Sequence, residues 1–170
     1  MPYTDPKIRT DNLPSGLAIS APRLTSPRVT GNVVLVTAAT TLDPDTHAGR
    51  IIVFNDADGA TITLPAATGS GNSYEFVVGV TATSNQHRVN VTGDDAMVGV
   101  VHVAQDGGDT SIAFEAGADT DQINMNGSTQ GGIRGDWFKV TDILADLWAV
   151  QGNIQATGTE ATPFVTGQVA

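Results

Sequence analysis

From Gly31 onward the chain is a succession of short β-type runs, each ended within a few residues by glycine, aspartate, asparagine or proline. Side chains on a strand alternate between faces, so a half-buried strand reads as a period of two. Thr61-Ile62-Thr63-Leu64 shows it, with Ile62 and Leu64 facing inward. Tyr74, Phe76, Val78 and Val80 share one face of the next run, and Val89/Val91, Met97 to Val103, Ile112/Phe114 and Ile123/Met125 continue the pattern. Trp137-Phe138-Lys139-Val140 and Leu147-Trp148-Ala149-Val150 close it. Val33-Val34-Leu35-Val36 and Ile51-Ile52-Val53-Phe54 are apolar at every position, as in strands covered on both faces. Asp58-Gly59 stands between two runs at hairpin spacing, and Asn126-Gly127 marks another turn. No window sustains a 3.6-residue period; Thr141 to Leu147 offers at best one short turn of helix. The expected fold is all-β: an antiparallel β-sandwich or jelly-roll-like barrel of about ten short strands, with an extended Pro-rich N-terminal arm.

The arm is set apart by proline. Five of the eight prolines (Pro2, Pro6, Pro14, Pro22 and Pro27) fall in the first 27 residues. Each removes a ladder donor and fixes φ, which bars a helix or a central strand. Two segments follow: residues 1–30 as an arm and 31–170 as the β domain.

Charge divides along the same line. Residues 1–30 carry Lys7, Arg9, Arg23 and Arg28 against Asp5 and Asp11, a net of +2. Residues 31–170 carry Arg50, Arg88, Arg134 and Lys139 against sixteen acids, a net of −12. An acidic body repels phosphate backbones, so nucleic acid is not an expected partner. There is no cysteine, which removes disulfides, thiolate metal sites and a cysteine nucleophile together. The first thirty residues lack a signal-peptide pattern, and no apolar run approaches the ~20 residues of a membrane-spanning helix. A soluble protein made in the cytoplasm is expected, with no membrane partner.

Candidate chemistry is sparse. His47, His87 and His102 sit in different predicted elements, without a nucleophile-elbow or HExxH signature. Asp56-Ala57-Asp58-Gly59 begins like a calcium loop, but Ala60 and Ala67 stand where further oxygen ligands are needed. The acidic loops Gly93-Asp94-Asp95 and Asp119-Thr120-Asp121 read as solvated. Gly69-Ser70-Gly71 lacks the lysine and the strand-to-helix setting of a phosphate cradle. Arg134-Gly135-Asp136 reads as a tight turn before a strand. Trp137 and Trp148 could form a sugar platform, although core duty is the plainer reading with nine aromatic residues in all. The expectation is no catalytic, metal or cofactor residue and no small-molecule substrate.

A resemblance begins at residues 60–79, where ATITLPAATGSG runs into the aromatic-bearing strand NSYEFVVG. This stretch resembles a module common in tailed-phage virion proteins. Residues 101–109 (VHVAQDGGD), 126–136 (NGSTQGGIRGD) and 156–164 (ATGTEATPF) are similar to phage head decoration and head-fibre proteins. The likeness covers roughly residues 31–165; tail-fibre proteins also carry the LPAATGSG piece. It implies a capsid decoration (cement) protein of tailed bacteriophages: a β-rich protomer, usually a homotrimer, on the outer capsid surface. There it would clamp neighbouring major capsid subunits after assembly in the bacterial cytoplasm. The matched residues are turns and strand edges, and the resemblance assigns them no catalytic role.

In that role the arm is the expected capsid contact, through Lys7, Arg9, Leu13, Leu17, Ile19, Arg23, Leu24 and Arg28. Exposed ion pairs give about 0–1 kcal/mol each, too little to order thirty residues. Burial of Leu13, Leu17, Ile19 and Leu24, with main-chain hydrogen bonds to a capsid edge, must supply most of the binding, while the charges steer. The fully apolar runs point to a subunit interface within the β domain. The alternatives are a tail-fibre or receptor-binding adhesin module and, third, a carbohydrate-active enzyme.

Overall fold

The computed structural model describes residues 32–108 and 110–167. Twelve strands and one helical turn follow one another along the chain. They are β1 (Val33–Val36), β2 (Thr40–Thr41), α1 (Pro44–His47), β3 (Ile51–Phe54), β4 (Thr61–Thr63), β5 (Ser73–Val78) and β6 (His87–Asn90). Then come β7 (Ala96–Gln105), β8 (Ser111–Glu115), β9 (Thr120–Met125), β10 (Trp137–Leu144), β11 (Leu147–Ala156) and β12 (Phe164–Thr166). They form a seven-stranded sheet in the order β1-β3-β5-β10-β11-β7-β8 and a five-stranded sheet in the order β12-β9-β6-β4-β2. Neither sheet closes on itself, so the all-β expectation holds as a sandwich rather than a barrel.

The sheets are mixed, which corrects the antiparallel expectation. β1, β3 and β5 pair in parallel in the larger sheet, and β2, β4 and β6 pair in parallel in the smaller one. Residues 33–90 therefore pass back and forth between the sheets three times, and each pass lands beside the equivalent strand of the one before. A parallel pair needs a crossover, and here a strand of the opposite sheet supplies it. Asp58-Gly59 consequently turns the chain from β3 in one sheet to β4 in the other, not through a hairpin. Gly59 takes φ +85 there, and a Cβ would stand 2.6 Å from Gln86 O. That close approach, as much as the turn itself, demands glycine.

Hairpins appear only in the second half. β7 and β8 pair antiparallel, as do β10 and β11. Residues 141–147, where one helical turn was the most that could be expected, are instead the end of β10, a two-residue turn and the start of β11. Asp146 takes φ 61 in that turn, a left-handed conformation that aspartate tolerates better than most side chains. The helical turn falls at Pro44–His47, where Asp43 caps it by accepting from Asp45 N and proline opens it.

The core lies between the sheets in rows that cross the strands. On the larger sheet Val34, Ile52, Phe76, Phe138, Gly152, Val101 and Phe114 stand in register. The Phe76 and Phe138 rings stack with centroids 5.0 Å apart. Gly152 is flush in this row because a Cβ would overlap Phe138. Facing them, Ile62, Val89, Ile123 and Phe164 form the matching row of the smaller sheet. Trp148, Tyr74, Phe54 and Met97 are fully buried among them. Trp148 thus does the core duty expected of it; Trp137, 38% exposed, does not.

Candidate interaction face

Three of the motifs singled out in the sequence turn out to be fastenings for buried carboxylates. Asp142 lies on β10 and is buried. The loop 65–72, which carries the TGSG piece, wraps its carboxylate: Thr68, Gly69 and Ser70 all donate backbone N–H bonds, at 3.0, 2.6 and 2.9 Å. The Ser70 hydroxyl adds a bond of 2.6 Å and the Thr68 hydroxyl one of 3.2 Å. Successive main-chain N–H groups make an anion nest, and this nest is filled by the chain's own side chain. That is why the segment has the glycines of a phosphate loop without its lysine. Burial acts to raise the Asp142 pKa, but these donors outweigh it and hold the group at about 2.

Two more carboxylates work alike. Asp95 accepts from Ala67 N at 2.7 Å and from the Trp148 indole at 3.3 Å, tying the same loop to the core tryptophan. Asp136, the aspartate of Arg134-Gly135-Asp136, accepts from Ile133 N at 3.0 Å and from Gln155 N at 2.9 Å. Desolvation pushes its pKa up, and its hydrogen bonds only partly oppose the shift. The tripeptide is the expected turn before β10, with its acid turned inward.

The histidines do not converge. His87 is fully buried, its ring tilted against Phe54 with centroids 4.6 Å apart and hydrogen-bonded to Val80 O at 3.0 Å. Burial lowers its pKa, which favours the neutral ring. His47 sits on α1 against Asp43, and His102 is exposed on β7. Asp56 accepts from Asp58 N within its turn, and Asp58 accepts from the Ser84 hydroxyl. Among the described residues no three His, Cys, Asp or Glu side chains gather as metal ligands, and no helix is long and apolar enough to cross a membrane. The arm residues Lys7, Arg9, Leu13, Leu17, Ile19, Arg23, Leu24 and Arg28 lie outside the described residues.

What the structure does bring together is a surface. On the outer side of the larger sheet, Leu35, Val53, Val77 and Trp137 stand side by side across β1, β3, β5 and β10. The row continues as Asn153, His102 and Ala113. Beside it run Val33, Ile51, Glu75, Lys139, Gln151, Val100 and Glu115. A third row holds Ser73, Thr141, Ala149 and Val98. Val33, Leu35 and Trp137 are 50%, 62% and 38% exposed. The fully apolar runs of β1 and β3 are therefore not covered on both faces. Their second apolar side lies on the surface.

The smaller sheet is the opposite. Its outer side carries Thr41, Thr63, Asn90 and Gln122 in one row and Thr61, Arg88 and Asn124 in the next. The Gln122 amide donates to Asn90 Oδ1 at 2.6 Å. One face of the sandwich is thus dressed for water, and half of the other is dressed like a core.

A groove of about 450 Å³ opens on the apolar side, lined by Trp137, Val100, His102, Gln151 and Asn153 among others. The unbroken apolar runs of β1 and β3 were the available signal for this surface, since apolar residues at both parities imply two apolar faces. Which strands would stand beside them was not readable. No protein-family profile matches the chain, and no curated protein or solved structure matches it either.

Proposed function

We propose that this chain is a non-enzymatic structural subunit of a tailed-phage virion, decorating the outer capsid surface as a homotrimer and clamping major capsid subunits. The observation that carries the reading is the two-faced sandwich. An apolar outer side on β1, β3, β5 and β10 suits contact with protein, and a threonine- and amide-rich outer side on the smaller sheet suits lasting exposure to water. Two of the phage-like segments add support, because they fold into fastenings: residues 65–72 hold Asp142, and the 126–136 segment ends in the Asp136 turn. Three buried, hydrogen-bonded aspartates brace loops that would otherwise fray, a construction suited to a part that must hold its shape.

The test is co-sedimentation of the purified full chain with undecorated expanded shells, followed by counting copies per particle. Saturable binding at hundreds of copies supports decoration. No binding to shells, or a few copies confined to a tail, overturns it.

The adhesin reading is favoured by one observation, the exposed Trp137 ring in a groove with Gln151, Asn153 and His102. An aromatic face flanked by amides is the chemistry that holds a sugar ring. Saturable quenching of tryptophan fluorescence by host-surface oligosaccharides, lost in Trp137→Ala, would support it.

A further inference from the structure

We infer that the outer side of the seven-stranded sheet is the surface through which copies of this chain meet, with Leu35, Val53, Val77 and Trp137 at the centre of the contact. The inference rests on the reading of the chain as an assembling subunit, and it names the surface that assembles.

Charge selects a second copy as the occupant. The β domain carries a net −12, so two copies repel over most orientations. The three outward rows of the larger sheet hold only Lys139 against Glu75 and Glu115, a net −1. Glu75 and Lys139 stand directly opposite one another on β5 and β10, so even these charges are matched within the face. Acids are concentrated elsewhere, in turns and in the buried fastenings. Contact through this face brings two acidic copies together with little repulsion between the surfaces that meet.

Size agrees. Seven strands at ~4.8 Å spacing span roughly 30 Å, and the outward rows extend roughly 15–20 Å along them. The footprint is on the order of 500 Å² before any rim loop is added, within reach of the ~800 Å² per partner of a specific interface. Its composition suits an interface, with aliphatic side chains around one tryptophan, one opposed Glu75–Lys139 pair within the face and Glu115 at its edge. β1 also lies at the sheet edge, so the exposed Val33 and Leu35 can approach a neighbour without obstruction from a further strand of the sheet.

The experiment is sedimentation velocity of the full chain over a concentration series, for wild type, Leu35→Glu, Val77→Glu and the opposite-face control Thr63→Glu. Circular dichroism checks that each variant folds. Wild type and Thr63→Glu should sediment as the same multimer. Leu35→Glu and Val77→Glu should each weaken association about a hundredfold, because an unpaired carboxylate would enter the contact. Acrylamide quenching gives a second readout: Trp137 should be shielded in the multimer and accessible in the variants, while Trp148 is buried in both. A wild type that stays monomeric into the submillimolar range overturns the inference, as does a multimer indifferent to both glutamates. Shell co-sedimentation separates this from the decoration reading. A multimer that ignores shells leaves the face assigned and removes the capsid, whereas monomers that decorate shells do the reverse.

Discussion

Replacing Asp142 by asparagine should cost this protein more than almost any other isosteric change, and the cost should depend on pH in a defined direction. The carboxylate is buried on β10 and receives N–H groups from Thr68, Gly69 and Ser70 and hydroxyls from Thr68 and Ser70. Its pKa is held at about 2 against an ordinary 3.8. At ~1.4 kcal/mol per unit, that depression corresponds to about 2 kcal/mol of folding stability at neutral pH. A depressed carboxylate pKa contributes fully above the unfolded value near 3.8 and loses that contribution as pH falls toward 2. Asparagine removes the charge and turns an NH2 group toward donors, leaving part of the nest unsatisfied, so the total loss at pH 7 should be about 3–4 kcal/mol. The assay is urea denaturation of wild type and Asp142→Asn at a series of pH values from 7 to 2. The gap between the two should be widest above pH 5 and should narrow by about 2 kcal/mol on reaching pH 2. A gap below ~1 kcal/mol at pH 7, or one that stays constant with pH, would refute the account of residues 65–72 as an anion nest.

Asp136 should behave with the opposite sign, because burial raises its pKa above 3.8. In the same assay, the stability of wild type relative to Asp136→Asn should fall as pH rises from 3.8 through the folded-state pKa, as the buried group is forced to ionise. The two tryptophans should separate cleanly. Trp148→Ala empties a buried site and removes a donor to Asp95, costing about 3–5 kcal/mol by chemical denaturation, whereas Trp137→Ala should shift the stability of the isolated protomer, measured at high dilution, by less than ~1 kcal/mol.

The all-β class was legible from Gly31 onward because the alternation of side chains is a local property of the extended backbone, and water imposes it on each strand separately. Ile62 and Leu64, or Ile123 and Met125, needed no knowledge of their neighbours to be placed inward, and they are buried. Turns such as Asn126-Gly127 and Arg134-Gly135-Asp136 were readable for the same reason: a left-handed or tight backbone is a demand of a few residues. Strand pairing is not local. Whether Asp58-Gly59 returned the chain to the same sheet or sent it across to the other depended on which surface waited for Ile62, and that surface is built by Val89 and Ile123, 27 and 61 residues further on. The same holds for the polar fastenings. Asp142 is one of eighteen acids, and nothing near it in the chain marks it as the partner of Thr68, Gly69 and Ser70, more than seventy residues earlier. Trp137 and Trp148 look alike as strand residues. The pleat alone separates them, since Trp148 stands opposite Asp142 and Met97 on the core side while Trp137 stands opposite Val77 and Asn153 on the outside. A face is a property of several strands at once, so the apolar row from Leu35 to Trp137 came into being only when β1, β3, β5 and β10 lay side by side.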